Sequence, residues 1–139
     1  MATLFDSGDL DLTHSPTSPL RIMLVEDRTL AAITLECLIE DLGHLVTAVA
    51  ATPAGAEREL RHVAPNIDLV IFDALLVGMP SLRLAETLRR HDLPAIVTST
   101  MPEADVRALG FKERYLAQPF TDLNVGRLLG RAREARIAA

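Results

Sequence analysis

The sequence contains little cysteine, no long uninterrupted apolar run and no excess of basic residues. Cys37 is the only cysteine among 139 residues, which excludes an intramolecular disulfide and a cysteine-rich metal site. The longest apolar stretch, residues 69–79, is interrupted by Asp73 and is too short to span a bilayer, and no signal-peptide pattern opens the chain. A net charge of −5 and a pI near 5.3 argue against nucleic acid as the main partner. We therefore expect a cytoplasmic protein without a membrane span.

The apolar content is sufficient for one domain with a buried core. Hydrophobic residues make up 49% of the chain, and charged residues make up 24%. Residues 1–19 differ, because their Asp, Ser, Thr and Pro residues show no sustained apolar period. The sequence thus predicts a flexible N-terminal tail over residues 1–19 and one domain over residues 20–136, with no second domain after it.

From Leu20 onward, short apolar runs alternate with amphipathic stretches, a pattern typical of βα units in a parallel sheet. Strands are predicted over residues 21–25, 44–50, 68–72, 95–99 and 115–117. The first, third and fourth runs are almost wholly apolar, as expected for strands covered on both faces. In the first helix, a stripe of Ala31, Leu35, Leu38 and Leu42 is predicted to face inward before Gly43 ends the helix. The expected architecture is an α/β fold, (βα)5, with a doubly wound parallel five-stranded sheet.

Acidic residues stand where two of these strands end. Glu26 and Asp27 follow the first strand, and Asp73 follows the third. In open α/β sheets the functional crevice lies beyond the carboxyl ends of the strands, so we expect these carboxylates to converge. Such a cluster needs protonation or a cation, and Mg²⁺ prefers oxygen ligands of this kind. The pattern therefore predicts a Mg²⁺-binding pocket in which the Asp73 carboxylate accepts a phosphoryl group.

Each of these residues also has a structural interpretation. Asp27 is suited to cap the first helix, and Asp73 is compatible with an ordinary loop acid. Ser99 ends the fourth strand, where small polar residues are common, and Tyr115 is compatible with half-buried packing. The bond between Gln118 and Pro119 is a candidate for a cis peptide.

Four segments together resemble the receiver domain of bacterial two-component response regulators. They are Arg-Ile-Met-Leu-Val-Glu-Asp at 21–27, Asp-Leu-Val-Ile-Phe-Asp at 68–73, Leu-Pro-Ala-Ile-Val-Thr-Ser at 93–99 and Tyr-Leu-Ala-Gln-Pro-Phe at 115–120. They occur in the family's order and at compatible intervals, and the resemblance covers residues 20 to about 136. It implies a flavodoxin-like receiver fold with strand order 2-1-3-4-5.

The resemblance also implies a role for each matching residue. Asp73 is then the site phosphorylated by a histidine kinase or a histidine phosphotransfer protein. Ser99 is the hydroxyl residue that contacts the phosphoryl group, and Tyr115 is the aromatic that moves with it. The implied Mg²⁺ ligands are Glu26, Asp27, Asp73 and the backbone carbonyl of Leu75.

The chain departs from the family pattern at three places. Gln118 replaces the lysine that normally pairs with the phosphoryl group, and an amide supplies no charge against a phosphate that carries about −1.5 to −2. The interval of 19 positions from Ser99 to Gln118 is shorter than in most receivers and resembles stand-alone bacterial receivers associated with stress signalling. Val77 replaces a proline that is common four positions after the phosphoacceptor.

The leading interpretation is a single-domain response regulator, which is not an enzyme and has no output domain. Its downstream protein partner is expected on the face formed by the fourth helix, fifth strand and fifth helix, and a homodimer is possible. A pseudo-receiver that acts as a phosphorylation-independent interaction module is the alternative, and Gln118 favours it. A small phosphatase is a weaker third hypothesis, because Leu75 stands where one such class has a second aspartate.

Overall fold

A computed structural model of the chain describes residues 18–63 and 66–138. The strands are β1 (Arg21–Val25), β2 (Leu45–Ala50), β3 (Leu69–Asp73), β4 (Leu75–Leu76), β5 (Met79–Pro80), β6 (Ala95–Ser99) and β7 (Arg114–Ala117). The helices are α1 (Thr29–Asp41), α2 (Pro53–Val63), α3 (Leu82–Arg90), α4 (Glu103–Leu109) and α5 (Asp122–Ala138). No described helix is both long and apolar enough to cross a membrane. Residues 1–17, most of the predicted tail, lie outside the described residues.

The main sheet is parallel, has five strands and follows the order β2-β1-β3-β6-β7. Counted along the chain within this sheet, that order is 2-1-3-4-5, which confirms the predicted doubly wound topology. The chain leaves β1 toward β2 and returns on the other side at β3. The winding therefore reverses between β1 and β3, and this reversal opens a crevice at their carboxyl ends.

Alternating side chains of the central strands face two separate cores. Met23, Val25 and Phe72 pack with residues of α2, α3 and α4 on one face. Ile22 and Leu24 pack with residues of α1 and α5 on the other. Because β1, β3 and β6 are buried on both sides, their sequences are apolar runs without alternation. Strand β2 lies at an edge and alternates between exposed and half-buried positions.

The inward face of α1 differs from the prediction. Its buried residues are Ala32, Leu35 and Ile39, whereas Leu42 lies at the surface against Gly126 of α5. The helix contacts both the sheet and α5, so its apolar face is wider than the predicted stripe. The stripe alone therefore did not show which residues lie at the middle of that face. Gly43 adopts a φ of +89° directly after the helix, as predicted for the residue that ends it.

Two arginines pair with Asp68 at the amino end of the sheet, and one of them also holds the two residues before the predicted start of the domain. Asp68 precedes β3 and does not begin it as predicted; its carboxylate accepts hydrogen bonds from the backbone and guanidinium of Arg21. Arg136 of α5 also contacts Asp68, and it donates to the backbone carbonyls of Ser18 and Pro19. Ser18 is buried. These two residues were assigned to the tail from sequence, but they belong to the packed domain.

A short β4–β5 hairpin follows Asp73, and the sequence did not predict it. Leu75 pairs with Pro80 and Leu76 with Met79, in antiparallel register. The two turn residues, Val77 and Gly78, both have positive φ, at +52° and +75°. This is the geometry of a type I′ turn, which suits glycine and asparagine but strains a β-branched residue. Val77 therefore stores backbone strain next to the crevice.

Val77→Asn is expected to raise the free energy of unfolding by about 1 kcal/mol, because asparagine tolerates the left-handed region better than valine. Little burial is lost, since Val77 is 63% exposed. Urea denaturation measures the change. Val49→Asn is the matched control at an exposed position of β2, where asparagine should give no gain. Equal effects of the two substitutions would contradict the strain at Val77.

Candidate functional site

Three acidic residues stand at the carboxyl edge of the sheet, on both sides of the point where the winding reverses. Asp73 is the last residue of β3, and Glu26 and Asp27 directly follow β1. A cavity of about 230 Å³ opens here. That volume equals about eight water molecules, enough for a phosphoryl group with its solvent. The cavity is lined by Asp27, Arg28, Asp73, Leu75, Gly78, Ser99 and Thr100.

Asp73 is 5% exposed, and each of its oxygens has hydrogen-bond donors. Oδ1 accepts from the backbone N–H of Leu75 at 2.9 Å. Oδ2 accepts from Gln118 Nε2 at 3.3 Å and from Arg28 Nη2 at 3.4 Å. The backbone carbonyl of Asp73 accepts from the hydroxyl of Ser81 at 2.6 Å. The side chain is thus held in one orientation, with Oδ2 facing the side of the site where the cationic group lies.

Glu26 is also 5% exposed and lies beneath Arg28. The backbone N–H of Arg28 donates to Glu26 Oε2 at 3.0 Å, and its guanidinium contacts both carboxylate oxygens at 3.4 and 3.5 Å. The pKa of Glu26 is raised to about 7, mainly by burial; the bonds from Arg28 oppose this rise, and the nearby Asp73 adds to it. Near neutral pH this carboxyl group therefore exchanges between its two protonation states.

Asp27 does not cap α1, so the capping interpretation is wrong. The residue at the capping position is Arg28, and no side chain caps the helix. Asp27 is exposed, and its Oδ2 accepts from the backbone N–H of Val77 at 3.0 Å. It thereby connects the end of β1 to the strained hairpin turn.

The carboxylate oxygens at this site are the type of ligand that a magnesium ion prefers. The carboxylates of Asp27 and Asp73 line the same cavity, and Glu26 lies next to Asp73. Within the described ranges, no three acidic, histidine or cysteine side chains are grouped closely enough to hold a metal ion by themselves. Mg²⁺ does not need such a cage, because it takes one or two carboxylates and completes its shell with water and phosphate oxygens. The residues therefore fit this ion.

Ser99 and Tyr115 are connected through one residue, Met101. The backbone N–H of Met101 donates to Ser99 Oγ at 2.9 Å, and its carbonyl accepts from the hydroxyl of Tyr115. Ser99 is buried and lines the cavity, whereas Tyr115 is half-buried against the core. Burial raises the pKa of Tyr115, and the charge of Glu103 adds to this effect. The two predicted switch residues therefore share a backbone partner in the β6–α4 loop.

Gln118 occupies the predicted position at the site, and its bond to Pro119 is cis. Its amide nitrogen donates to Asp73 Oδ2 and to Thr98 Oγ1, both at 3.3 Å. Its amide oxygen accepts from Arg28.

The sequence analysis did not identify Arg28 or Ser81 as site residues, although the position of Arg28 is unusual in the sequence. An arginine directly before a helix is unfavourable, because it does not cap and its charge opposes the helix dipole. That local conflict is a mark of a functional position. Ser81 directly precedes α3, and its contact with the Asp73 carbonyl has no sequence signal.

The raised pKa of Glu26 predicts a pH dependence of folding stability in the presence of a chelator. The folded state holds a proton up to about pH 7, whereas the unfolded chain releases it near the ordinary value of 4.5. This group's contribution to stability therefore falls as pH rises between those values. Glu26→Gln cannot ionise, so the variant should gain stability relative to the wild type from pH 5 to 7.5.

Urea denaturation at several pH values measures the difference in unfolding free energy between the Glu26→Gln variant and the wild type. Glu40→Gln, at an exposed position of α1, is the control whose difference from wild type should not follow this profile. A pH-independent difference for Glu26→Gln would show that the carboxyl group is not protonated by burial.

No protein-family model matches the chain. A curated relative is the phyllosphere-induced regulator PhyR of Methylorubrum extorquens, 30% identical over 114 residues, which are 80% of this chain and 42% of PhyR. The chain thus spans less than half the length of this relative.

Solved structures with the same fold include isolated receiver domains. The receiver domain of PhyR from Erythrobacter litoralis matches with a TM-score of 0.68 and 26% identity, over 82% of this chain and 89% of that one. SdrG from Sphingomonas melonis matches with a TM-score of 0.70 and 29% identity, over 82% of this chain and 96% of that one. Fold, strand order and relatives agree: the chain has the receiver fold and is similar to the receiver domains of response regulators.

Proposed function

We propose that Asp73 accepts a phosphoryl group from a phosphohistidine of a histidine kinase or a histidine phosphotransfer protein, and that protein partners recognise the phosphorylated form. One observation carries this proposal. The carboxylate of Asp73 lies at the reversal point of a receiver fold, held by fixed donors, and it lines an open cavity whose wall includes Ser99. A purely structural aspartate at this place would not need a cavity of phosphoryl size.

The transfer needs only a positioned nucleophile and stabilised charge. An oxygen of the Asp73 carboxylate attacks phosphorus and forms an O–P bond while the N–P bond of phosphohistidine breaks. The bonding electrons leave with the imidazole nitrogen, which takes a proton from water. Because little other chemistry is required, positioning of the carboxylate by Leu75 and Ser81 is the main contribution of the backbone around it.

Magnesium is part of the proposal. Asp27 and Asp73 would hold the ion, with Glu26 beside them and the carbonyl of Leu75 as the further ligand that the family resemblance implies. When bound, Mg²⁺ supplies positive charge that offsets carboxylate repulsion and binds phosphoryl oxygens. The pKa of Glu26, at about 7, makes ion binding stronger at alkaline than at acidic pH, because the ligands must be deprotonated.

An apolar surface next to the site suits a protein phosphodonor. Leu30, the second residue of α1, is 79% exposed, and it lines a cavity of about 230 Å³ together with Pro119 and Phe120. Gln118 lines this cavity and also contacts Asp73. A donor bound here therefore reaches the phosphoacceptor from the side of α1. Large apolar groups at such exposure are typical of contact surfaces.

The contacts of Met101 indicate how occupancy of Asp73 is transmitted. If Ser99 turns its hydroxyl toward a phosphoryl oxygen, the bond from the Met101 N–H to Ser99 Oγ weakens. The carbonyl that holds the Tyr115 hydroxyl belongs to the same residue, so Tyr115 loses its fixed partner and changes position. A change at the cavity is thus converted into a change at the surface formed by α4, β7 and α5.

This surface contains an open groove of about 280 Å³ that suits a protein segment as partner. Arg127 and Arg131 of α5 border it, and Tyr115 forms part of its floor. Movement of Tyr115 therefore alters the shape of the groove directly. A downstream protein or a second copy of the chain would bind here.

One observation favours the alternative of a pseudo-receiver. In this structure Asp73 already has a cationic partner, Arg28, and an amide partner, Gln118. Such a carboxylate is satisfied without phosphorylation or metal, as a module that only binds other proteins would require.

Phosphorylation distinguishes the two functions. The wild type, incubated with Mg²⁺ and acetyl phosphate, is expected to gain the mass of one phosphoryl group as a base-labile adduct, and Asp73→Asn should gain none. Asp105→Asn, at an exposed carboxylate of α4, should be phosphorylated as the wild type is. Intact-protein mass spectrometry is the measurement. No adduct from acetyl phosphate or from a phosphorylated histidine phosphotransfer protein would support the pseudo-receiver instead.

The connection through Met101 predicts a spectroscopic change that depends on Ser99. Tyr115 is the only tyrosine and tryptophan is absent, so intrinsic fluorescence reports this one residue. Phosphorylation should shift the emission of the wild type, whereas Ser99→Ala should be phosphorylated but show a much smaller shift. Thr87→Ala removes a hydroxyl from α3 and should behave as the wild type. An undiminished shift in Ser99→Ala would exclude the path through Met101.

A further inference from the structure

Arg28 is placed where a cation is locally unfavourable but is close to the phosphoacceptor. It precedes the first residue of α1, where its charge opposes the positive end of the helix dipole. Its side chain is half exposed, so it is free to leave toward solvent. It instead lies over the carboxylates, with Nη2 at 3.4 Å from Asp73 Oδ2 and Nε at 3.4 Å from Glu26 Oε2. The contacts with Asp73 and Glu26 offset the unfavourable interaction between the charge of Arg28 and the helix dipole.

Gln118 holds the guanidinium of Arg28 in this position. Its amide oxygen accepts from Arg28 Nη2, and its amide nitrogen donates to Asp73 Oδ2 at 3.3 Å. Only a side chain with both an acceptor and a donor can make these two bonds. A lysine at 118 has no acceptor, and its charge would repel Arg28. The residue at 118 and the arginine at 28 are therefore matched to each other.

The site consequently keeps a positive charge despite the absence of lysine at 118. A phosphoryl group on Asp73 brings about −1.5 to −2 charge and three acceptor oxygens. A guanidinium offers several donors in a planar fork that suits phosphate oxygens. We propose that Arg28, oriented by Gln118, is the cation that binds the phosphoryl group on Asp73. This inference rests on the proposed function and assigns Gln118 the role of a positioning residue.

Substitution of Arg28 tests the role of its charge. With Mg²⁺ and acetyl phosphate, Arg28→Gln is expected to be phosphorylated roughly tenfold more slowly than the wild type, the size expected for loss of a charge-assisted hydrogen bond. Arg28→Lys should retain part of the rate. Arg61→Gln, an exposed arginine of α2, controls for loss of one positive charge. Circular dichroism and urea denaturation establish that each variant is folded.

A second measurement separates phosphoryl binding from structural support. In the wild type, the ¹⁵N–¹H signal of Arg28 Nε should shift on phosphorylation, because the guanidinium exchanges carboxylate for phosphoryl oxygens. An arginine with only a structural role would keep its signal. An unchanged Nε signal, in a wild-type protein that is phosphorylated, would overturn the inference.

Relocation of the cation tests the pairing with Gln118. Gln118→Lys in the Arg28→Gln background should restore most of the lost rate, because a positive charge returns next to Asp73 Oδ2, the oxygen that Gln118 already contacts. Gln118→Lys in the wild type should not add a comparable gain, since it places two cations together and removes the acceptor of Arg28. The four proteins form a double-mutant cycle, and additive effects would contradict a matched pair.

The outcomes also separate this inference from the proposed function. Phosphorylation of the wild type with an unaffected Arg28→Gln variant leaves Asp73 as phosphoacceptor and refutes the role of Arg28. Faster phosphorylation and tighter Mg²⁺ binding in Arg28→Gln would refute it as well, and would identify Arg28 as a competitor of the metal. A wild type that no phosphodonor modifies refutes the proposed function and this inference together.

Discussion

Negative charge collected at the end of two buried strands is the constraint on which the rest of this structure depends. Glu26 and Asp73 are almost fully buried next to each other, and burial of two carboxylates is costly unless a cation or a proton accompanies them. The protein meets this cost with the guanidinium of Arg28, with fixed N–H donors and with a pKa for Glu26 of about 7. Under the proposed function, magnesium and a phosphoryl group would satisfy the same pocket.

The loops around the pocket are tied to this charge by backbone contacts. Asp27 holds the N–H of the strained Val77, and Ser81 holds the carbonyl of Asp73. On the other side, Met101 links the wall residue Ser99 to Tyr115. A change in the charge of the pocket therefore acts on two loops, and Met101 of one of them contacts Tyr115 at the α4–β7–α5 surface.

The replacement of lysine by Gln118 has a different meaning in three dimensions from its meaning in the sequence. Read alone, it removes a positive charge and favours a module that does not use phosphorylation. In the structure the amide accepts from Arg28, 90 positions away along the chain, and presents that charge to Asp73. The positive charge of the site thus comes from residue 28 and not from residue 118. The sequence alone predicts a site that binds a phosphoryl group weakly, whereas the structure predicts one that still has a cation to bind it.

The amino-acid sequence alone determined the fold class, the strand order through the family resemblance, and the positions of Glu26, Asp27, Asp73 and Ser99 at one edge. These features follow from local patterns, because an apolar run marks a buried strand and the residue after it must emerge at the carboxyl edge. Only the tertiary structure decided the β4–β5 hairpin, the inclusion of Ser18 and the partner of Gln118. Arg136 and the amide of Gln118 contact groups distant in the chain, and the hairpin turn places a valine where the usual pattern has glycine or asparagine, so no local pattern encodes these features.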